Sequence, residues 1–523
     1  MRWTVLVLWA VAAAAPCGTV AYSRLGFRGA AEHGVFAADL DGDGAQDLMA
    51  LGRGRISVYR GRRGQPYPKT PEVVMTGSAG YFADVADVHP APGQELVIIT
   101  ASGVSCFVQR QGRFVPEPVA VLEDCDTILS LPLLRGAVKH VSFASVDCLP
   151  WNFAFDADGD GDDDLLVAHG DGTDVYLQGE PGKFAEPVRL RLFPLIFHST
   201  MGAREAKALG GAQTGQVRVV FEMRPVERRD VNGDGNADLF CPPVRRGDFV
   251  IAEAIWFAQK IDGGGFDPIP ATLPAGFTLG ADRTRRDVNG DGRLDRIAEE
   301  NSMDDPFNIT TRVRYFLADA QGRIPSEPTH TVVGQNILVH TDLPVHDFNG
   351  DGALDFAMLK TDISATQVAK WMRQSFGKID GKLNFYLFDR DDNRYPRYPS
   401  WSKDVRMRFK VDLQDVMVGG VWERYLSTMV RFAGDYNGDG RPDLLIRERT
   451  HAIAIYLNTG DRGEPYPRRP DIVLDELPMF GGLDVADLNG DGADDLILSA
   501  PHPLFSRASL RPEVIAVYVS RRP

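Results

Sequence analysis

Cysteine is scarce, five in 523 residues, which excludes a scaffold held together mainly by disulfides. Basic charge is in deficit as well: 57 Lys plus Arg face 72 Asp plus Glu, a formal net charge of −15. Binding to phosphate backbones needs clustered cations, so nucleic acid is not an expected partner. Beyond the N-terminus no apolar run is long enough to span a bilayer, so the mature chain is expected to have no transmembrane segment. Familiar catalytic signatures are missing too. No HExxH, GxSxG, phosphate-loop or CxxC pattern occurs, and the ten histidines are scattered. What is present is a globular composition, 44% apolar and 25% charged, with 53 Gly and 34 Pro. That enrichment implies many turns and many short strands.

Residues 1–21 read as a secretory signal. Arg2 precedes an apolar run from Trp3 to Ala15, too short for a membrane span, and Thr19-Val20-Ala21 offers a small-residue cleavage site. Cys17 invites a lipoprotein reading, but Ala14-Ala15-Pro16-Cys17 is a poor lipid-attachment box, and a buried N-terminal strand is the alternative. Export to the extracellular space, cell surface or periplasm is expected. Cys106, Cys125, Cys148 and Cys241 then remain, as two disulfides or as four buried thiols. Cys125 and Cys148 flank an irregular segment and are the first pair expected.

A nine-residue pattern recurs: Asp, any, Asp or Asn, Gly, Asp, Gly, any, any, Asp. Seven intact copies begin at Asp39, Asp156, Asp230, Asp287, Asp347, Asp435 and Asp487. A degraded copy, DVHPAPGQE, runs from Asp87 to Glu95, with His89 and Ala91 in place of two oxygen donors. The starts are 48, 69, 74, 57, 60, 88 and 52 residues apart, periods that mean stacked units. Each loop is followed by an apolar run such as DLMAL, DLLVA or DLLIR, then by further strand-like segments such as RISVYR and IAIYLN. Next comes a Gly-Phe-x-x-Pro turn, or Tyr-Pro-x-x-Pro at Tyr67, Tyr395 and Tyr466, before a fourth strand. Four strands per unit predicts an all-β propeller. Eight blades are favoured, or seven if the degraded unit forms none. The last unit lacks a fourth strand, and residues 22–32 are expected to supply it and close the ring, leaving no open edge. Residues 22–523 thus form one domain, with insertions at about 191–224 and 361–412; Ser364–Gly377 in the second has helical spacing.

The loops have the chemistry of a calcium site. Hard divalent cations prefer oxygen, and side chains at positions one, three, five and nine can converge with the position-seven carbonyl. The candidate ligands are Asp39, Asp41, Asp43 and Asp47 in the first loop, and Asp156, Asp158, Asp160 and Asp164 in the next intact one. They continue as Asp230, Asn232, Asp234 and Asp238, then Asp287, Asn289, Asp291 and Asp295. The remaining sets are Asp347, Asn349, Asp351 and Asp355; Asp435, Asn437, Asp439 and Asp443; and Asp487, Asn489, Asp491 and Asp495. Up to seven calcium ions are expected, which would carry the formal charge from −15 to −1. An EF-hand would need Glu at position twelve, and none of the seven loops has it. The alternative is seven polar turns without metal.

These loops and their trailing strands resemble the FG-GAP or VCBS repeat family, calcium-loop propellers that include the integrin α-subunit head. The resemblance covers residues 22–523. It implies a hairpin between the first two strands of each blade that binds Ca²⁺ in the seven intact loops. The family spans adhesion proteins, lectin-like binders and a few lyases and dehydratases, so the resemblance implies fold and metal rather than activity. The function expected is an exported, non-catalytic, adhesion-like binding module for protein or carbohydrate, acting as a monomer. The alternative is a carbohydrate-active enzyme, a polysaccharide lyase or sugar dehydratase. Catalytic residues and further cofactors are not assigned. His340 and His346 approach the sixth loop and could touch a ligand or fill a turn or core. Trp371, Trp401 and Trp422 could form a glycan platform or pack an inserted helix. Asn308-Ile309-Thr310 matches a glycosylation acceptor.

Overall fold

The structure, a computed structural model, describes residues 21–521 apart from 28–33, 131–141, 149–150, 202–215, 247–248, 261–264, 274–284, 303–308, 338–343, 411–428, 500–513 and the single positions 79, 124, 233, 362, 375, 479 and 481. The expected leader, Ala21 excepted, lies outside these residues, as do Cys17, Asn308, His340 and Trp422.

After most of the acidic loops an apolar run becomes a buried strand; Asp295–Ser302, with Arg296, Glu299 and Glu300 exposed, is the exception. Asp47–Gly52, Glu95–Thr100 and Asp164–His169 are buried at every position. A strand covered on both faces reads as a continuous apolar stretch rather than an alternation. Outer strands behave differently. In Glu72–Met75 only Val74 is buried, while Val73 and Met75 are exposed.

Consecutive strands pair antiparallel. The first sheet runs Gly34–Ala38, Asp47–Gly52, Arg55–Tyr59, Glu72–Met75 in chain order. The second is Phe82–Ala86, Glu95–Thr100, Gly103–Phe107, Val119–Leu122, and the third is Ala154–Phe155, Asp164–His169, Gly172–Tyr176, Val188–Leu190. The fourth has three strands, Glu227–Arg229, Asp238–Cys241 and Ile255–Phe257, extended by a bridge from Trp256 to Ala271. The fifth is Arg285–Arg286, Asp295–Ser302, Thr310–Phe316, His330–Gly334. The sixth comprises Val345–His346, Asp355–Thr361, Phe376–Tyr386 and Trp401–Lys410, and the seventh Val430–Gly434, Asp443–Arg449, Ala452–Tyr456 and Ile472–Leu474. One parallel bridge, Arg408 to Arg449, joins these two into a single eight-stranded sheet. In the eighth, Gly482–Ala486, Asp495–Ser499 and Val514–Arg521 are completed by the N-terminal strand Ala21–Gly26, which pairs with Val514–Arg521.

Two segments depart from this plan. Leu195–Met201 and Gln216–Glu222 form a hairpin that pairs with Ser142–Cys148. Residues 365–374 form the single α-helix among the described residues, α1 (Ala365–Gln374). Ser364 and Gln367 cap it reciprocally: the Gln367 N–H donates to Ser364 Oγ at 3.3 Å and the Ser364 N–H to Gln367 Oε1 at 2.9 Å. Of the two readings of these tryptophans, packing holds for Trp371 and Trp401, and they form no glycan platform. Trp371 is buried against Phe409, and Trp401 packs on Phe385 at 4.8 Å, both within one aromatic core. All four described cysteines are free thiols, so the expected Cys125–Cys148 pair is not made. Cys106, Cys148 and Cys241 are buried apolar side chains.

Candidate metal centres

Each intact loop joins the first and second strands of its sheet, and one hydrogen-bond template recurs in all of them. The position-five carboxylate accepts the position-seven N–H in all seven, at 2.8–3.0 Å. The position-one carboxylate accepts the N–H groups of positions five and six in six loops, as Asp39 does from Asp43 at 3.2 Å and Gly44 at 2.9 Å. Such winding needs left-handed backbone, and Gly42 and Gly44 supply it at φ 73° and 87°. The seventh case is the Asp156 loop, where Arg228 of the fourth sheet bonds the outer oxygen of Asp156.

Position nine has a second task. Asp47, Asp164, Asp238, Asp295, Asp355, Asp443 and Asp495 are at most 1% exposed. One oxygen of each accepts the position-two N–H, at 2.7–3.2 Å. The other accepts an N–H at or just beyond the end of the third strand, from Gly61, Gln178, Gln259, Ala318, Phe388, Asn458 or Ser520, at 2.6–2.9 Å. Each carboxylate therefore pins its loop to the rest of its sheet. Burial pushes the pKa up against these bonds, to about 6 at Asp47, about 7 at Asp164, Asp355 and Asp495, and about 8 at Asp443. A cation beside them would favour the ionised form instead.

Position two, read as "any" in the sequence, is a missed signal. Leu40, Ala157, Val231, Val288, Phe348, Tyr436 and Leu488 are all buried apolar or aromatic residues. Their chemical likeness was visible in the seven aligned copies.

Position three separates the loops into two groups. Asn232, Asn349, Asn437 and Asn489 donate from Nδ2 to the outer oxygen of the position-five Asp, at 2.8–3.2 Å. Arg293 and Arg441, at position seven, bond Asp291 and Asp439 in the same way. These loops offset part of their own charge. The Asp39 and Asp156 loops carry Asp at position three. In them Asp39, Asp41 and Asp43, and Asp156, Asp158 and Asp164, bring carboxylate oxygens within 4.8 Å of one another. Oxygen-only donor sets at this spacing fit a hard divalent cation.

Neighbouring loops are tied edge to edge. Gln109 Nε2 donates to Leu40 O at 3.0 Å and Gln94 O at 2.8 Å. Gln178 does the same to Asp87 O and Asp163 O, and Asn458 to Phe348 O and Pro442 O. The Tyr-Pro turns add a clamp: Tyr67, Tyr395 and Tyr466 donate their hydroxyls to the position-eight carbonyls of Gln46, Leu354 and Pro442 at 2.6–2.7 Å. The Leu354 N–H donates to Val288 O at 2.7 Å, linking the loops of the fifth and sixth sheets. The Gln46 N–H donates to Leu488 O at 2.8 Å, the same link between the first sheet and the eighth.

The degraded loop keeps two bonds of the pattern, those made from positions three and nine. The Val88 N–H donates to Glu95 Oε2 at 3.1 Å, and His89 Nδ1 accepts the Ala91 N–H at 3.0 Å. Glu95 is fully buried, its Oε1 has no hydrogen-bond partner, and burial pushes its pKa to about 7. His346 rests against Phe348, with burial and then Arg286 lowering its pKa to about 4. That environment suits a neutral packing histidine.

Residues 435–498 match the FG-GAP-like repeat model. This match contains the Asp435 and Asp487 loops. No match is found among curated proteins. Among solved structures, an Agrocybe aegerita lectin described as recognising non-reducing terminal N-acetylglucosamine is similar at 14% identity, with 94% of this chain and 99% of that chain covered and a TM-score of 0.33. A TcdB2–TccC3 structure is similar at 16% identity over 93% of this chain and 20% of that chain, with a TM-score of 0.23. No helix among the described residues is long and apolar enough to cross a membrane.

Proposed function

We propose that the chain is an exported, calcium-stabilised β-propeller of eight blades, a monomer that acts as a non-catalytic, adhesion-like binding module for a protein or carbohydrate partner. The observation that carries this reading is the repetition of one loop template in seven intact copies, each setting oxygen donors at the same positions of a two-strand turn. Closure of the ring is supported by the N-terminal strand on the eighth sheet and by the bond from Gln46 to Leu488. Calcium would be held by the side chains at positions one, three, five and nine of each intact loop, supplying positive charge where carboxylates crowd. The Asp39 and Asp156 loops would bind most tightly, because no Asn or Arg of their own offsets the position-five carboxylate. Rigid loops along one rim would leave the other surfaces of the propeller for recognition.

The test is thermal melting and metal analysis with millimolar calcium or EGTA. At a calcium concentration a hundredfold above Kd, each independent site adds about 2.7 kcal/mol. Several bound ions per chain and a melting temperature that falls sharply in EGTA are expected. Fewer than three ions, or an unmoved transition, would overturn the metal reading. Polysaccharides that gained unsaturated ends on incubation would overturn the non-catalytic one.

A further inference from the structure

A groove of about 1130 Å³ lies between the outer strand of the fifth sheet, His330–Gly334, and the sixth sheet with its 389–402 connection. Its charge runs against that of the chain. Lys360, Lys382, Arg394 and Arg397 line it against Asp389 and Asp392. Asp392 is paired with Arg394 at 2.6 Å. Asp389 Oδ1 is taken by the N–H groups of Asp391 and Asp392, at 3.0 and 3.1 Å. Lys360, Lys382 and Arg397 are exposed, and among the described residues none has an ion-pair partner. A protein of net charge −15 thus keeps three uncommitted cations in one concave place.

The rest of the groove is suited to hydroxylated rings. Tyr398, 72% exposed, is the most exposed large apolar or aromatic side chain among the described residues, and the Arg397 guanidinium lies 5.7 Å from its ring centroid. An exposed aromatic face beside a cation offers stacking area and charge together. On the wall of the groove, Ser402 Oγ donates to Asn384 Oδ1 at 2.8 Å, an amide–hydroxyl pair of the kind that fixes polar ligands. The volume exceeds the usual range for a drug-sized ligand, roughly 300–1,000 Å³, so an extended chain fits better than a single small molecule.

We infer that this groove binds an acidic polysaccharide of the uronate type, with Lys360, Lys382 and Arg397 meeting its carboxylates and Tyr398 lying against a sugar ring. This deepens, and rests on, the reading of the chain as a binding module. Sugar hydroxyls and regularly spaced carboxylates match the mixture of uncommitted cations, amide, hydroxyl and aromatic face; an acidic peptide would use the cations alone.

The test is titration of the calcium-loaded full chain with oligogalacturonate, neutral dextran and polyglutamate, alongside Lys382→Ala/Arg397→Ala and Tyr398→Ala. All three positions are exposed, so melting temperatures should stay at the wild-type value. Expected are binding of oligogalacturonate that weakens with salt, no binding of dextran, a loss of about tenfold or more in the double variant, and about fivefold in Tyr398→Ala. Polyglutamate binding as tight as oligogalacturonate, or affinity that the variants leave unchanged, would overturn the proposal. So would the absence of oligogalacturonate binding by a chain that still melts higher in calcium, and that result would leave the loop reading standing. Binding without any calcium effect would support the groove and sink the loop reading instead.

Discussion

In the Asp87–Glu95 loop the buried position-nine carboxylate and the buried position-two Val88 keep the places they hold in the seven intact loops, while the oxygen donors at positions three and five are gone. His89 accepts the position-five N–H that Asn Oδ1 accepts in the Asn-bearing loops. The comparison separates two jobs that the acidic pattern runs together. Position nine ties the loop to its sheet in the intact loops and keeps the position-two bond in the degraded one. Positions three and five change without loss of the sheet, and they are the ones that the calcium proposal gives to the ion. The price of the substitution shows at Glu95, whose longer side chain leaves Oε1 without a partner.

The largest effect that can break this distinction is at position nine. Asp443→Ala orphans the N–H groups of Tyr436 and Asn458, both bonded at 2.7 Å, and should cost about 3–5 kcal/mol in EGTA as well as in calcium. Chemical denaturation in both conditions checks it; a loss confined to calcium buffer would show that position nine serves only the metal. Asp41→Ala is the counterpart. It should leave the EGTA transition within about 0.5 kcal/mol and remove one bound ion, about 2.7 kcal/mol of calcium-dependent stability at a hundredfold excess over Kd.

Glu95→Gln sharpens the comparison through pH. The folded Glu95 takes up its proton near pH 7, above its ordinary value of 4.5, so its favourable contribution is complete at low pH and is lost as pH rises from about 4.5 through 7. The variant keeps an acceptor for Val88 and does not ionise. It should match wild type near pH 4.5 and exceed it by about 1–3 kcal/mol at pH 8, read from urea midpoints. Equal stability at both pH values would show that the buried carboxyl is not desolvated. The smallest effect is expected for Tyr395→Phe, which loses one hydroxyl bond to Leu354 O and about 1 kcal/mol.

Much of this was readable in the residues. The Asp-x-Asp/Asn-Gly-Asp-Gly-x-x-Asp copies placed every loop between two strands, and the trailing apolar runs marked strands covered on both faces. The helical spacing after Ser364 became α1, and the capping pair Ser364 and Gln367 was present in the letters. Position nine was legible as an acid but not as a backbone acceptor, because its partners lie 14 to 33 residues further along, beyond the reach of local pattern. Trp371 and Trp401 were ambiguous for a similar reason: an indole reads the same whether it faces a sugar or Phe409 and Phe385. The cysteines carried no distance information, and the structure keeps them apart as thiols.

The sequence by itself determined the β-rich repeat, its turn chemistry and the oxygen-donor positions, because short apolar runs, glycine placement and carboxylate spacing act over a few residues. Tertiary structure decided which carboxylates bond the backbone, which loops touch and where Lys360, Lys382, Arg397 and Tyr398 meet. Those facts depend on contacts between strands far apart in the chain, and burial and pairing are set only when the sheets pack.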